Sequence, residues 1–133
     1  MNKDQVKAQL TVWWMVWSAF QVGVLVYPHF LAVGTRQPQA GAADSLPWLI
    51  CLVPLTISTL LRWTILPRIQ NPQVAVQLFI VGIAMSESVC FLGLYRFPVY
   101  QKVLFMWSVL GIFQFMPYFA TRYFPLDDTR TQT

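Results

Sequence analysis

Charge is what this chain has least of. Acidic and basic residues make up 11% of its 133 residues, with nine Lys or Arg and five Asp or Glu. A soluble domain usually has about a quarter. The deficit excludes an ordinary solvated surface and points to an integral membrane protein. The formal net charge of +4 therefore makes no case for nucleic-acid binding. The charges lie mostly outside the apolar stretches, as membrane-flanking residues do. Histidine occurs once, as His29, so a haem held by two histidines would need a partner to bring the second. His29 itself reads as an interfacial polar residue. The two cysteines, Cys51 and Cys90, are too far apart for the CxxC pair of a thiol–disulfide enzyme. Both read as small apolar residues; a link between them stays open, since both fall near one end of neighbouring helices. There is no catalytic His–carboxylate set, nucleophile elbow, metal cluster or phosphate loop. The chain is therefore not expected to be an enzyme, and no cofactor is expected beyond bound lipid.

What the chain has instead is four apolar runs, at about 10–33, 46–66, 74–95 and 99–120. About 20 apolar residues suffice to cross the hydrocarbon core. Only helices and closed barrels satisfy a spanning backbone, and these runs are too long and evenly apolar for barrel strands. The expected fold is an all-α membrane protein, one domain over residues 1–133, with four transmembrane helices in a bundle. The first run is too long for a signal-peptide core and reads as an uncleaved span. Trp13, Trp14, Trp17, Trp48 and Trp63 are expected at the membrane interface, where amphipathic rings collect. Pro28 is expected to kink or end the first helix. Pro54 is expected to break the second, with Thr56, Ser58 and Thr59 at hand for freed backbone groups. Arg62 is expected to snorkel outward, Asn71-Pro72 to form a turn, and Pro117 to loosen the last turn. Residues 34–45 read as a short loop, and 121–133 as a polar tail.

Four spans put both termini on one side. That side has Lys3, Lys7, Arg62, Arg68, Arg122 and Arg130; the other has Arg36, Arg96 and Lys102. The positive-inside rule then expects cytoplasmic termini, in a bacterial inner membrane.

Glu87 is the only acid inside a long apolar run. Desolvation disfavours its charged form, and such a residue is expected to face protein or a water-filled cavity. By helix rise, Gln21 and Thr56 fall at similar depth. The candidate ion-binding set is therefore Glu87, Gln21, Thr56, Ser86 and Ser88. Gly82, Ser86 and Cys90 recur at every fourth residue and form a candidate helix-packing stripe.

Arg68, Asn71 and Pro72, then Gln77-Leu78-Phe79, then Gly82, Ala84, Ser86 and Glu87, and finally Leu94, form a pattern with a known counterpart. Residues 68–94 resemble the polar loop and ion-carrying helix of the rotary ATP synthase c subunit, the proteolipid. The resemblance implies that Glu87 binds a transported proton or sodium ion. It covers about a fifth of the chain. The run at 46–66 has no glycine, where the family's preceding helix is Gly-rich.

Two functions are expected from these features. In the first, a small oligomeric membrane protein binds or translocates H⁺ or Na⁺ through Glu87. In the second, the chain is a non-catalytic accessory or scaffold subunit of a larger membrane complex, contacting lipid, pigment or quinone. Its partners are then membrane lipids and either further copies of itself or other subunits, without nucleic acid.

Overall fold

A computed structural model describes residues 3–31 and 49–124. Trp48, Arg36, the 34–45 loop and the tail beyond 124 lie outside them. The described residues form four α-helices and no strand. Three stretches, Asp4–Tyr27, Pro72–Tyr95 and Pro98–Tyr123, are long and apolar enough to cross a membrane.

Helix α1 (Lys3–Leu31) is continuous over 29 residues and passes Pro28 without ending there. Helix α2 (Leu52–Leu60) is short and runs on through a π turn, Leu61–Ile65, and a 3-10 turn, Leu66–Arg68. Pro54 breaks the helical path as expected from sequence: Leu49 is helical, residues 50 and 51 form a turn, and α2 begins at Leu52. It stands in the first turn of α2, where a missing N–H costs nothing. The Ile50 carbonyl is instead served by Val53 N–H at 3.1 Å.

Helix α3 (Pro72–Tyr95) agrees with the third apolar run. The Asn71-Pro72 pair is its start. The Asn71 side chain accepts from Gln73 N–H at 2.9 Å, and Pro72 takes the first helical position, the residue types those places prefer. A 3-10 turn, Pro98–Tyr100, leads into helix α4 (Gln101–Phe113). The fourth run is interrupted more sharply than expected. The α-helix stops at Phe113, and Pro117 opens a separate 3-10 helix, Pro117–Tyr123.

Helices α3 and α4 are the central pair, with α1 and α2 on opposite flanks, each touching both. Small residues set the α3–α4 register. A Cβ on Gly93 would lie 3.0 Å from Leu104 Cβ, one on Gly111 would lie 2.7 Å from Ser86 Oγ, and one on Gly82 would overlap the Phe115 ring. Gly93, Ser86 and Gly82 thus meet Leu104, Gly111 and Phe115 in one antiparallel register. The steps are a heptad and then a turn on both helices, so the contact side stays aligned. Gly82, Ser86 and Cys90 are all buried.

At one end, aromatic rings close the bundle. Trp13 stacks on Tyr123 with ring centroids 5.9 Å apart and packs on Phe79 at 4.8 Å and Phe119 at 5.5 Å. Trp13 is only 1% exposed and packs inward. The C-terminal 3-10 helix folds back and covers it. Trp63, at 65% exposed, faces outward.

The α3–α4 register makes Gly82 intolerant of a side chain. Gly82→Ala should lower stability by about 1–3 kcal/mol, the usual cost of overpacking. Adding Phe115→Leu should recover part of that loss. Thermal unfolding of the two single variants and the double variant in detergent checks this; strictly additive losses would contradict the contact.

Candidate functional site

The site starts from a rotation. Ser86 faces α4, where Gly111 leaves room for it. The next residue on a helix lies 100° further round, and this turns Glu87 toward α1. Gly23 receives it there. A Cβ on Gly23 would lie 3.4 Å from Glu87 Oε1 and 3.1 Å from the Tyr27 hydroxyl oxygen. Both oxygens therefore converge over one glycine. Tyr27 follows Gly23 by one turn and shares its face, so its phenol and the Glu87 carboxyl meet at the same glycine. The Tyr27 ring packs on Phe91 at 5.0 Å, and Phe91 stacks on Tyr95 at 6.5 Å. Phe91 is one turn past Glu87, so these rings wall one side of the seam between α1 and α3. Glu87 is half-buried, and buried Cys90 lies within electrostatic range of it.

The other residues expected around Glu87 are spread over the bundle. Thr56 is exposed and donates to its own helix, to Leu52 C=O at 2.9 Å. It sits on α2, across the central pair from α1. Ser88 donates to Met85 C=O at 2.7 Å. Gln21 precedes Gly23 by two residues, about 200° round α1, and its Oε1 is buried without a partner among the described residues. Ser86 belongs to a second polar group. Its hydroxyl is 2.7 Å from that of Ser58, which donates to Gly82 C=O at 2.8 Å. The Gln114 amide donates to Ser58 Oγ at 3.5 Å and Thr59 Oγ1 at 3.3 Å. This chain of hydroxyls and an amide joins α2, α3 and the end of α4.

Among the expected interface residues, Trp17 is half-buried and donates from Nε1 to Ile112 C=O at 3.0 Å. Trp14 makes edge contacts with Trp17 and Tyr118. Arg62 does not simply snorkel. Its Nε donates to Gln114 C=O at 2.8 Å, and its guanidinium carbon lies 4.0 Å from the centre of the Phe119 ring. His29 is exposed, with Nδ1 3.2 Å from Leu25 C=O.

Sequence reasoning missed Tyr27, Gly23 and the inward turn of Arg62. A signal for the first two existed: a glycine and a tyrosine one turn apart in the first run form a small-plus-hydroxyl face, and the third run carries a lone acid. Nothing in the spacing shows that Arg62 meets Phe119. No protein-family model matches the chain, and neither does a curated protein or a solved structure.

The two polar groups differ in what they hold. Ser58→Ala leaves Ser86 without its partner in a buried place and should cost about 1–3 kcal/mol. Thr56→Val removes an exposed hydroxyl that only back-bonds its own helix, and should stay within about 0.5 kcal/mol. Thermal unfolding of both variants in the same detergent checks the contrast.

Proposed function

We propose that this protein spans a membrane four times with both termini cytoplasmic, and that Glu87 is a reversible proton-binding site within an oligomer. The observation that carries the reading is the convergence of the Glu87 carboxyl and the Tyr27 phenol over Gly23 in the α1–α3 seam. A phenol hydroxyl both donates and accepts. It donates to the carboxylate when Glu87 is charged and accepts from the acid when Glu87 carries a proton. One partner therefore serves both states, and a proton can come and go without stranding a buried group. Acids in spanning segments that pair in this way mark proton relays and ion pathways. The half-burial of Glu87 supports access from the seam.

The oxygen count favours a proton over sodium. Hard cations are held by several oxygen ligands. Ser86, Ser88 and Thr56 commit their hydroxyls to other partners and Gln21 lies about 200° round α1 from Gly23, which leaves the two carboxyl oxygens of Glu87 and the one Tyr27 hydroxyl, fewer than a hard cation takes. The likeness of residues 68–94 to the proteolipid ion helix supports the same use of Glu87.

A second reading has its own support. Only 11% of the apolar window of α1 is buried within the chain, and Val12, Met15, Val22 and Phe30 face outward. An accessory subunit would use that face against another membrane protein. Its mark is co-purification with a larger assembly in mild detergent, which native mass spectrometry reports directly.

Proton flux into liposomes containing the purified protein, driven by a potassium-diffusion potential and read with a trapped pH dye, tests the first reading. Glu87→Gln should reduce flux to the level of empty liposomes. Tyr27→Phe removes the hydroxyl beside the acid but keeps the acid, and should slow flux by about tenfold. A hydrophobic carbodiimide, which reacts with the protonated acid, should label Glu87 less at high pH, with no protection by sodium. Wild-type flux in Glu87→Gln would sink the reading.

A further inference from the structure

Two cations at the end of the bundle away from Glu87 have no acid beside them among the described residues. Arg62 and Arg122 come together where α2 and α4 finish. Arg62 reaches from the π turn to Gln114 C=O and lies over the Phe119 ring. Arg122 comes from the 3-10 helix that carries Phe119, and its Nη2 donates to Pro67 C=O. Tyr123, next to it, donates to Leu66 C=O at 2.6 Å. Leu66 and Pro67 lie just over one turn past Arg62, so the two guanidiniums occupy one corner, close enough to repel each other. The acids of the described residues are Asp4 and Glu87, and neither is ion-paired with these arginines. Exposed Arg68 lies on the same connection.

Each guanidinium spends one donor group on a carbonyl and rests on a ring, Arg62 on Phe119 and Trp63, Arg122 on Tyr123 at 5.5 Å. Both forks are thus held in place with N–H groups left over. Holding two like charges together is unfavourable unless a counter-charge comes to them, and the described residues supply none. A fixed pair of forks with spare donors matches an anion that offers several oxygens at once, and phosphate does so better than a single carboxylate.

We propose that Arg62 and Arg122 form a binding site for a phosphate-bearing anion at this end of the bundle. Two sources offer that chemistry: the headgroup phosphate of an anionic lipid and a free phosphate in solution. The proposal does not involve Glu87, and its phosphate arm is independent of whether the chain conducts protons.

The test uses the purified full chain in neutral detergent, with thermal unfolding read against added phosphatidylglycerol, phosphatidylcholine or inorganic phosphate. Phosphatidylglycerol should raise the midpoint, phosphatidylcholine should not, and the effect should shrink as sodium chloride rises. Arg122→Gln should weaken the apparent affinity by about tenfold, with Arg122→Lys in between. Arg62 also holds the end of α4, so the variant there is Arg62→Lys, which keeps the charge and loses the fork; it too should weaken binding. Lys102→Gln, at the far end of α4, should change nothing. Stabilisation by inorganic phosphate as well would assign a free phosphate, and stabilisation by phosphatidylglycerol alone would assign a lipid headgroup. Equal stabilisation by phosphatidylcholine, an unaltered affinity in Arg122→Gln, or an equal loss in Lys102→Gln would overturn the proposal.

Discussion

The close approach of α3 and α4 is the constraint from which the rest of the structure follows. In lipid, apolar burial gives little drive for helices to associate, so close packing and interhelical hydrogen bonds must supply it. Gly82, Ser86 and Gly93 on one helix and Gly111 on the other bring the backbones together, and large residues opposite them fill the gaps: Phe115 over Gly82, Leu104 over Gly93. With these positions fixed, the rotation of α3 about its axis is fixed too. Ser86 must then face inward, where Ser58 of α2 can reach both its hydroxyl and the Gly82 carbonyl. Glu87 must face the other flank, and α1 is the helix there.

This rotation separates two kinds of polarity. The Ser58–Ser86–Gln114 group is buried and joins three elements, so it adds to a rigid core. Glu87 sits at a seam with α1, the least buried of the three long apolar stretches. A side chain in the first group can move only if the central pair moves. The Glu87–Tyr27 pair depends on the position of α1 relative to α3, so the proton exchange proposed for Glu87 would not require the core to open. The arginine corner follows from the same geometry. Helix ends leave carbonyls unsatisfied, and cations near a helix C-terminus interact favourably with its dipole. Arg62 serves the end of α4, while Arg122 and Tyr123 serve the end of α2.

Much of the helical layout was legible. The run at 74–95 differs from α3 by two residues at its start, because a lone Asn-Pro followed by unbroken apolar sequence carries its own cap. The oddity of Glu87 was legible as well, since no other acid interrupts an apolar run. The direction in which Glu87 points was not. Depth follows from residue counting, and this placed Gln21 and Thr56 level with it. Direction depends on which helices flank α3, and α2 lies across the central pair from α1. The burial of Trp13 was not legible for a related reason. Its position near a helix start suggested an anchor, but the 3-10 helix folding back over it is set by Met116 and Pro117, a hundred residues away in sequence. Pro54 shows the reverse case, a break that was legible: with no N–H at Pro54, the Ile50 carbonyl turns to Val53 and the helix restarts at Leu52.

The remaining question is whether a carboxyl in the α1–α3 seam serves as a lock or as a proton site, and magnitudes bear on it. A hydrogen bond between membrane helices contributes about 0.6 kcal/mol on average. Placing an acid at the centre of a spanning helix costs about 2.5–3.5 kcal/mol on insertion scales. As a lock, Glu87 costs more than it returns. A hydroxyl or amide would bond Tyr27 at a smaller penalty, as the Ser58–Ser86 pair does between α2 and α3, about 100° round α3 from Glu87. What the carboxyl adds over those groups is a proton that can leave. The surroundings suit that use: a partner that can donate or accept, a glycine that lets two oxygens approach, and a seam bounded by the least buried helix. A pure lock would be better placed where Ser86 is, sealed between α2 and α4.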